Sequence, residues 1–116
     1  MANPNIVAVT NINGKTAVAT ISSTPTTLLE NTSSSNKVFK INMMIVANKH
    51  TDVIKFDASL RRASVDYNLA YQVSLPKQSS LDLVSKSIYL QEGDSIVVSS
   101  DINNVSTVVC SYEEIS

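Results

Sequence analysis

The sequence predicts an all-β protein, an antiparallel β-sandwich of jelly-roll-like form with about eight strands in a single domain spanning residues 1–116. Three observations carry that expectation. The first is the run Val65 to Leu75. Val65, Tyr67, Leu69, Tyr71, Val73 and Leu75 alternate with Asp66, Asn68, Ala70, Gln72 and Ser74, the period-two pattern of a strand with one buried face and one wet face. The second is the apolar set, in which Val (14) and Ile (10) dominate while aromatics make up 5% and Trp is absent. Both residues are β-branched and favour strands, so the core should be aliphatic. The third is spacing: short alternating runs recur between turn signals, and no segment keeps a helical period long enough to stand alone.

Along the chain, Asn5 to Thr10 alternates, with Ile6 in the opposite phase to Val7 and Val9, and residues 1–5 read as an extended N-terminal arm. Asn13-Gly14 is the signal of a type I′ hairpin turn, with Lys15 to Ile21 as its return strand. Pro25 marks a loop, Thr26 to Glu30 a short strand, and Asn31 to Asn36 a polar turn. Val38 to Asn48 is the best candidate for a central strand. Phe39, Ile41, Met43, Ile45 and Ala47 share one phase, and the other phase turns apolar at Met44 and Val46. A strand apolar on both faces is covered on both sides, by a second layer or by a neighbouring subunit. Asn48 to Asp52 is a turn, Ile54, Phe56 and Ala58 an inward set, and Arg61-Arg62 a loop tip. After the Val65 to Leu75 strand and Pro76 come short runs at Ser80 to Val84 and Ile88 to Leu90. Within this region Lys77 to Lys86 could instead hold a helical turn. Glu92-Gly93-Asp94 is a turn, followed by strands at Ser95 to Ser100 and Val105 to Glu113. Both glycines are expected at positive φ, outside strands.

The composition narrows the partners. Net charge is −1 with no basic stripe, so phosphate-driven binding to nucleic acid has no electrostatic basis. The longest apolar run, Met43 to Ala47, is too short for a membrane helix. One cysteine permits no internal disulfide. Met1 leads into Asn-Pro-Asn without a basic flank or apolar stretch, so no signal peptide is expected. Ser, Thr and Asn number 38, a coat of small neutral groups suited to sheet faces and protein–protein contact.

No catalytic, cofactor-binding or metal-binding residue stands out, and no cofactor is expected. His50, the only histidine, sits in the turn Asn48-Lys49-His50-Thr51-Asp52 and lacks the companions that a metal site or triad needs. Cys110 shares its phase with Val108 and Tyr112 and reads as a small core residue. Asp52, Asp57, Asp66, Asp82, Asp94 and Asp101 are scattered. Glu92 and Asp94 with Asp101 could approach a Ca²⁺ ion only if six or more oxygens converged. Arg61-Arg62 could meet an acidic partner. Tyr67 and Tyr71 would make a sugar-stacking platform if exposed, but their phase with Leu69 and Val73 predicts core.

Four stretches resemble small virion structural proteins of tailed bacteriophages, especially of cyanobacterial myoviruses. These are Asn3 to Val7 through Gly14 to Ala17, then Ser33 to Asn42 with Met44 to Asn48, then Ser87 to Ile96, then Ser111 to Ile115. The sequence departs from that family at Pro76-Lys77-Gln78-Ser79, where the family often has a Pro-Ala-Asp turn. The resemblance implies a non-enzymatic β-sandwich present in many copies on a virion made in the host cytoplasm. Its partners would be other virion proteins, the major capsid protein or tail proteins, and further copies of itself. It implies a capsid decoration or cement protein, or else a tail, neck or fibre component with a glycan-binding role. An exposed sheet edge at Asn3 to Thr10 or Val105 to Glu113 would serve such assembly.

Overall fold

The computed structural model describes residues 10–116, so the strand expected over residues 5–10 and the N-terminal arm lie outside it, apart from a bend at Thr10. Among the described residues there are nine strands: β1 (Ile12–Ile21), β2 (Thr26–Glu30), β3 (Val38–Asn48), β4 (Ile54–Arg62), β5 (Val65–Leu75), β6 (Ser80–Asp82), β7 (Ile88–Leu90), β8 (Ser95–Ser100) and β9 (Ser106–Ile115). Of the two alternatives for Lys77 to Lys86 the strand is the one that forms, as β6, with turns and irregular chain on either side and no helical turn.

Their pairing is that of one long antiparallel hairpin rolled up on itself. β4 pairs β5 at the closed end, β3 pairs both β6 and β7, β2 pairs β8, and β1 pairs β9. Rolling adds β3 beside β9 and β4 beside β8. The result is two antiparallel sheets, β1-β9-β3 with β6 and β7 along the far side of β3, and β2-β8-β4-β5. This is the strand order of a jelly roll, with one strand position filled by the two short pieces β6 and β7.

The core between the sheets is aliphatic, as composition requires. Ile21, Ile41, Met44, Val46, Ile54, Leu90, Ile96, Val98 and Val108 are fully or almost fully buried, and Phe56 is the largest side chain among them. Phe39 and Tyr112 contribute a tilted ring pair with centroids 5.4 Å apart. Cys110 is buried in phase with Val108 and Tyr112, as expected.

Several local expectations fail, each because a long-range ladder overrides a local signal. Asn13-Gly14 makes no turn: both residues lie inside β1, opposite Glu114 and Glu113. Of the two glycines only Gly93 has positive φ, at 88°. The hairpin tip is instead Ala63-Ser64, between Arg62 and its partner Val65. Both tip residues have positive φ, 52° and 64°, the φ pattern of type I′. Arg61 and Arg62 are therefore the last residues of β4 and not a loop.

Bulges reset two phases. In β3, Ile41 pairs with Tyr112 but Met43 with Ser111, leaving Asn42 as an extra residue. Phe39 and Ile41 face inward before it, and Met44, Val46 and Asn48 after it. Met43, Ile45 and Ala47 thus belong to the outer face, against expectation. In β5 the register shifts twice, around Leu69 and around Tyr71-Gln72, which turns Ala70 into the core. Tyr67 and Tyr71 are 56% and 66% exposed, so they are not core residues. Asp66, Asn68, Gln72 and Ser74 are exposed as expected. The expected edge at Val105 to Glu113 is also wrong, because β9 is flanked by β1 and β3.

A non-glycine residue in the left-handed region costs roughly 1–2 kcal/mol. Replacing Ala63-Ser64 by Asn-Gly should therefore raise stability by about 1 kcal/mol. An increase in the urea midpoint at unchanged m-value would show it; an unchanged midpoint would mean that the tip carries no strain.

Candidate functional site

Three polar clusters occupy the ends of the sandwich, and in each the side chains are turned to holding the chain. At one end Asn31, fully buried after β2, donates from Nδ2 to the carbonyls of Lys37 (2.9 Å) and Leu90 (3.0 Å). Its Oδ1 accepts from Ser35 Oγ (2.6 Å). Its backbone N–H donates to the Asp94 carbonyl and its carbonyl accepts from Gly93, at 2.9 and 2.7 Å. One amide thus ties a strand of one sheet to β7 of the other. Beside it the Asp94 carboxylate, 1% exposed, is gripped by Arg62 through Nε (2.8 Å) and Nη2 (2.6 Å), and also accepts from the Gln91 N–H (2.8 Å). Glu92 Oε2 accepts from the Asn36 N–H at 2.7 Å, while the buried Oε1 has no hydrogen-bond partner among the described residues. A depression of about 350 Å³ opens between Ser33, Arg62 and the Gln91-to-Asp94 turn.

At another corner Asn48 donates from Nδ2 to the carbonyls of Asp52, Leu75 and Pro76 (3.0–3.1 Å), and its Oδ1 accepts from the His50 N–H (2.8 Å). His50 is part of this turn, and among the described residues no acid, base or nucleophile is aligned on it by a side-chain hydrogen bond. A shallow depression of about 480 Å³, lined by Ala47, Asn48, Lys49, Gln78, Ser79 and Ser80, lies alongside and contains no aromatic residue.

The third cluster is Glu114, near the end of β9, with Lys15 at 3.0 Å and Lys37 at 3.2 Å. Burial raises the Glu114 pKa, but the hydrogen bonds and charges of the two lysines outweigh it and hold the carboxyl below its usual 4.5. The Glu114 hydrogen bond in turn holds Lys15 above its usual value.

The six aspartates are similarly committed. Asp52 accepts from the Val53 N–H, Asp57 from Gln72, Asp82 from Val84 and Asp101 from Lys55. Asp66 pairs with Arg61 at 2.6 and 3.1 Å, and the Arg61 hydrogen bond holds its pKa down. Asp94 and Asp101 are thus engaged separately. Among the described residues no three His, Cys, Asp or Glu side chains group to hold a metal ion. Arg61 and Arg62, the sequence's one paired cationic motif, each face an aspartate of this chain.

Tyr67 and Tyr71 are exposed but do not form one platform. Tyr67 lies opposite Leu60, which packs against the core, so it points to the inner side of the overhanging β5. Tyr71 lies in the bulge opposite Asp57, on the outer side. The outer face of the first sheet carries Val18, Val109 and Ile45 in one cross-strand row, flanked by Met43 and Ala47. It matches the two-sided apolar character of β3, and no further layer of the described residues covers it.

Asn31, Asn48 and Glu114 escaped sequence reasoning. Asn31 opens a run of small polar residues and differs from its neighbours only in where the fold puts it. No protein-family model matches the chain, and no curated protein matches it.

Two measurements probe these clusters. Burial pushes the Cys110 thiol up to about 11, so Ellman's reagent should leave it unmodified in the native state and label one thiol after denaturation. Rapid native labelling would show that β9 opens readily. For Glu114, a folded pKa below the unfolded one means its stabilisation is complete above about pH 4.5. It is lost as pH falls through the lower folded value. Glu114→Gln should therefore flatten the acid side of the stability–pH curve. An acid limb identical to that of the parent protein would refute the assignment.

Proposed function

We propose that this chain is a bacteriophage virion structural protein, a capsid decoration or cement protein that binds the assembled particle through protein–protein contacts. The observation that carries the reading is the jelly-roll order of the strands, an architecture that recurs in viral capsid and lectin domains. That is an argument from fold analogy, and two features of this chain support it. Its convergent polar groups are spent on tying sheet to sheet. Its surface offers sheet faces and edges, with a cross-strand apolar row on the outer face of the first sheet in which Val18 is exposed and Val109 and Ile45 are half-buried, the kind of surface a protein partner can cover. The sequence resemblance to small virion proteins points the same way. The absence of a basic stripe and the internal pairing of both arginines speak against nucleic acid as the partner.

A tail, neck or fibre component that binds host glycans is the second reading. What favours it is the exposure of Tyr71 and Tyr67 beside Asp66, Asn68 and Gln72, since an exposed ring can stack on a sugar.

Cryo-electron microscopy of the particle that carries this chain separates the two. Density for the sandwich repeated over the capsid lattice is the expected result. Density at the tail alone, together with binding of the isolated domain on a glycan array that Tyr71→Ala abolishes, would replace the first reading by the second. Absence of the chain from purified particles of the virus that encodes it would overturn both.

A further inference from the structure

The four sheet edges are not alike. β2 has five residues and a bulge, and β6 and β7 have three residues each. β5 is long but carries two register shifts, positive φ at Gln72 and the Arg61–Asp66 ion pair beside it. Shortness, bulges and charge are the devices by which proteins blunt an edge. β1 has neither shortness nor a bulge, and of the three devices it carries only one charge. Its ten residues run in unbroken register with β9, without proline, and its single charge, Lys15, is engaged by Glu114. Among the described residues nothing pairs with its outer side.

We infer that the free edge of β1 is a homodimerisation site, where a second copy of this chain adds its own β1 antiparallel about a twofold axis at Val18. The partner must be an extended strand, because the edge presents backbone N–H and C=O groups. The side chains point to this chain's own β1. Ile12 and Val18 are the apolar side chains on the outer face of β1, and Val18 is 70% exposed. In a twofold pair, residues equidistant from the axis face each other on the same side of the sheet. An axis at Lys15 would set Ile12 against Val18 but would also oppose the two Lys15 side chains, which destabilises a ladder. An axis at Val18 sets Val18 against the partner's Val18, Thr16 against Thr20 and Lys15 against Ile21, with no like charges opposed. It also joins the rows Val18-Val109-Ile45 of the two copies into one apolar row across a continuous sheet.

The test uses the isolated full-length chain, so its outcome is independent of the virion reading. Sedimentation velocity should show a concentration-dependent dimer. Val18→Lys and Val18→Glu should each weaken it by at least about tenfold, since like charges then face each other across the axis. Mixing the two variants should restore a heterodimer. Because Cys110 is buried, Val18→Cys should give a disulfide-linked dimer under mild oxidation. Ile12→Cys, whose two copies the axis holds far apart, should not. A chain that stays monomeric would overturn the inference. So would a dimer indifferent to V18K, or equal crosslinking at both cysteine positions.

Discussion

Two buried amides hold the corners on which the sandwich closes. Asn31, just after β2, and Asn48, at the end of β3, belong to opposite sides of the sandwich, and each sends an Nδ2 hydrogen to a strand carbonyl of the other sheet, Leu90 in β7 and Leu75 in β5. A carbonyl turned into a dry interior costs about 1–3 kcal/mol if nothing donates to it. Both amides meet several such groups at once, at places where the chain leaves one sheet for the other. With no disulfide, closure falls to these corners, to the Arg62–Asp94 ion pair and to the aliphatic core between the sheets. Buried side-chain networks of this kind specify one arrangement more sharply than apolar contact, because a shifted register leaves several polar groups unpaired together.

That commitment also shapes what the surface can do. Residues that read as candidate chemistry, the six aspartates and the arginine pair, are occupied with turns, bulges and strand ends. Left over on the described surface are sheet faces and edges, which present backbone groups and shape in place of convergent chemical groups. The Asn42 bulge matters here: by adding one residue to β3 it sends Met43, Ile45 and Ala47 outward and supplies the apolar row beside Val109. A local irregularity thus gives a central strand two apolar faces, one in the core and one on the outer side of the sheet.

The legible and illegible parts of the fold divide by range. Strand limits such as Val65–Leu75 and Ser95–Ser100 were readable because alternation and flanking turn residues are local properties. The inward set Ile54, Phe56 and Ala58 was readable because β4 is regular there. Tyr71 was misread as core because alternation assumes an unbroken register and β5 shifts around Tyr71-Gln72; Tyr67 keeps the inner phase but is exposed because β5 overhangs the core there. Asn13-Gly14 was misread because its turn preference is small beside a ten-residue ladder with β9. Ala63-Ser64 forms the tip although neither residue favours positive φ, because the pairing of β4 with β5 fixes where the chain must reverse.

By itself, the sequence determined an aliphatic, all-β sandwich: the alternation, the Val and Ile content and the single cysteine leave no other way to bury enough surface. Which strands are central, which lie at the sheet edges among the described residues and which side chains meet were decided only by the tertiary structure. Pairing partners in a jelly roll are as far apart as β1 and β9, and the loop entropy and bulge geometry that select them are properties of the whole chain. The virion role and the dimer through β1 are readings of the surface that this arrangement exposes.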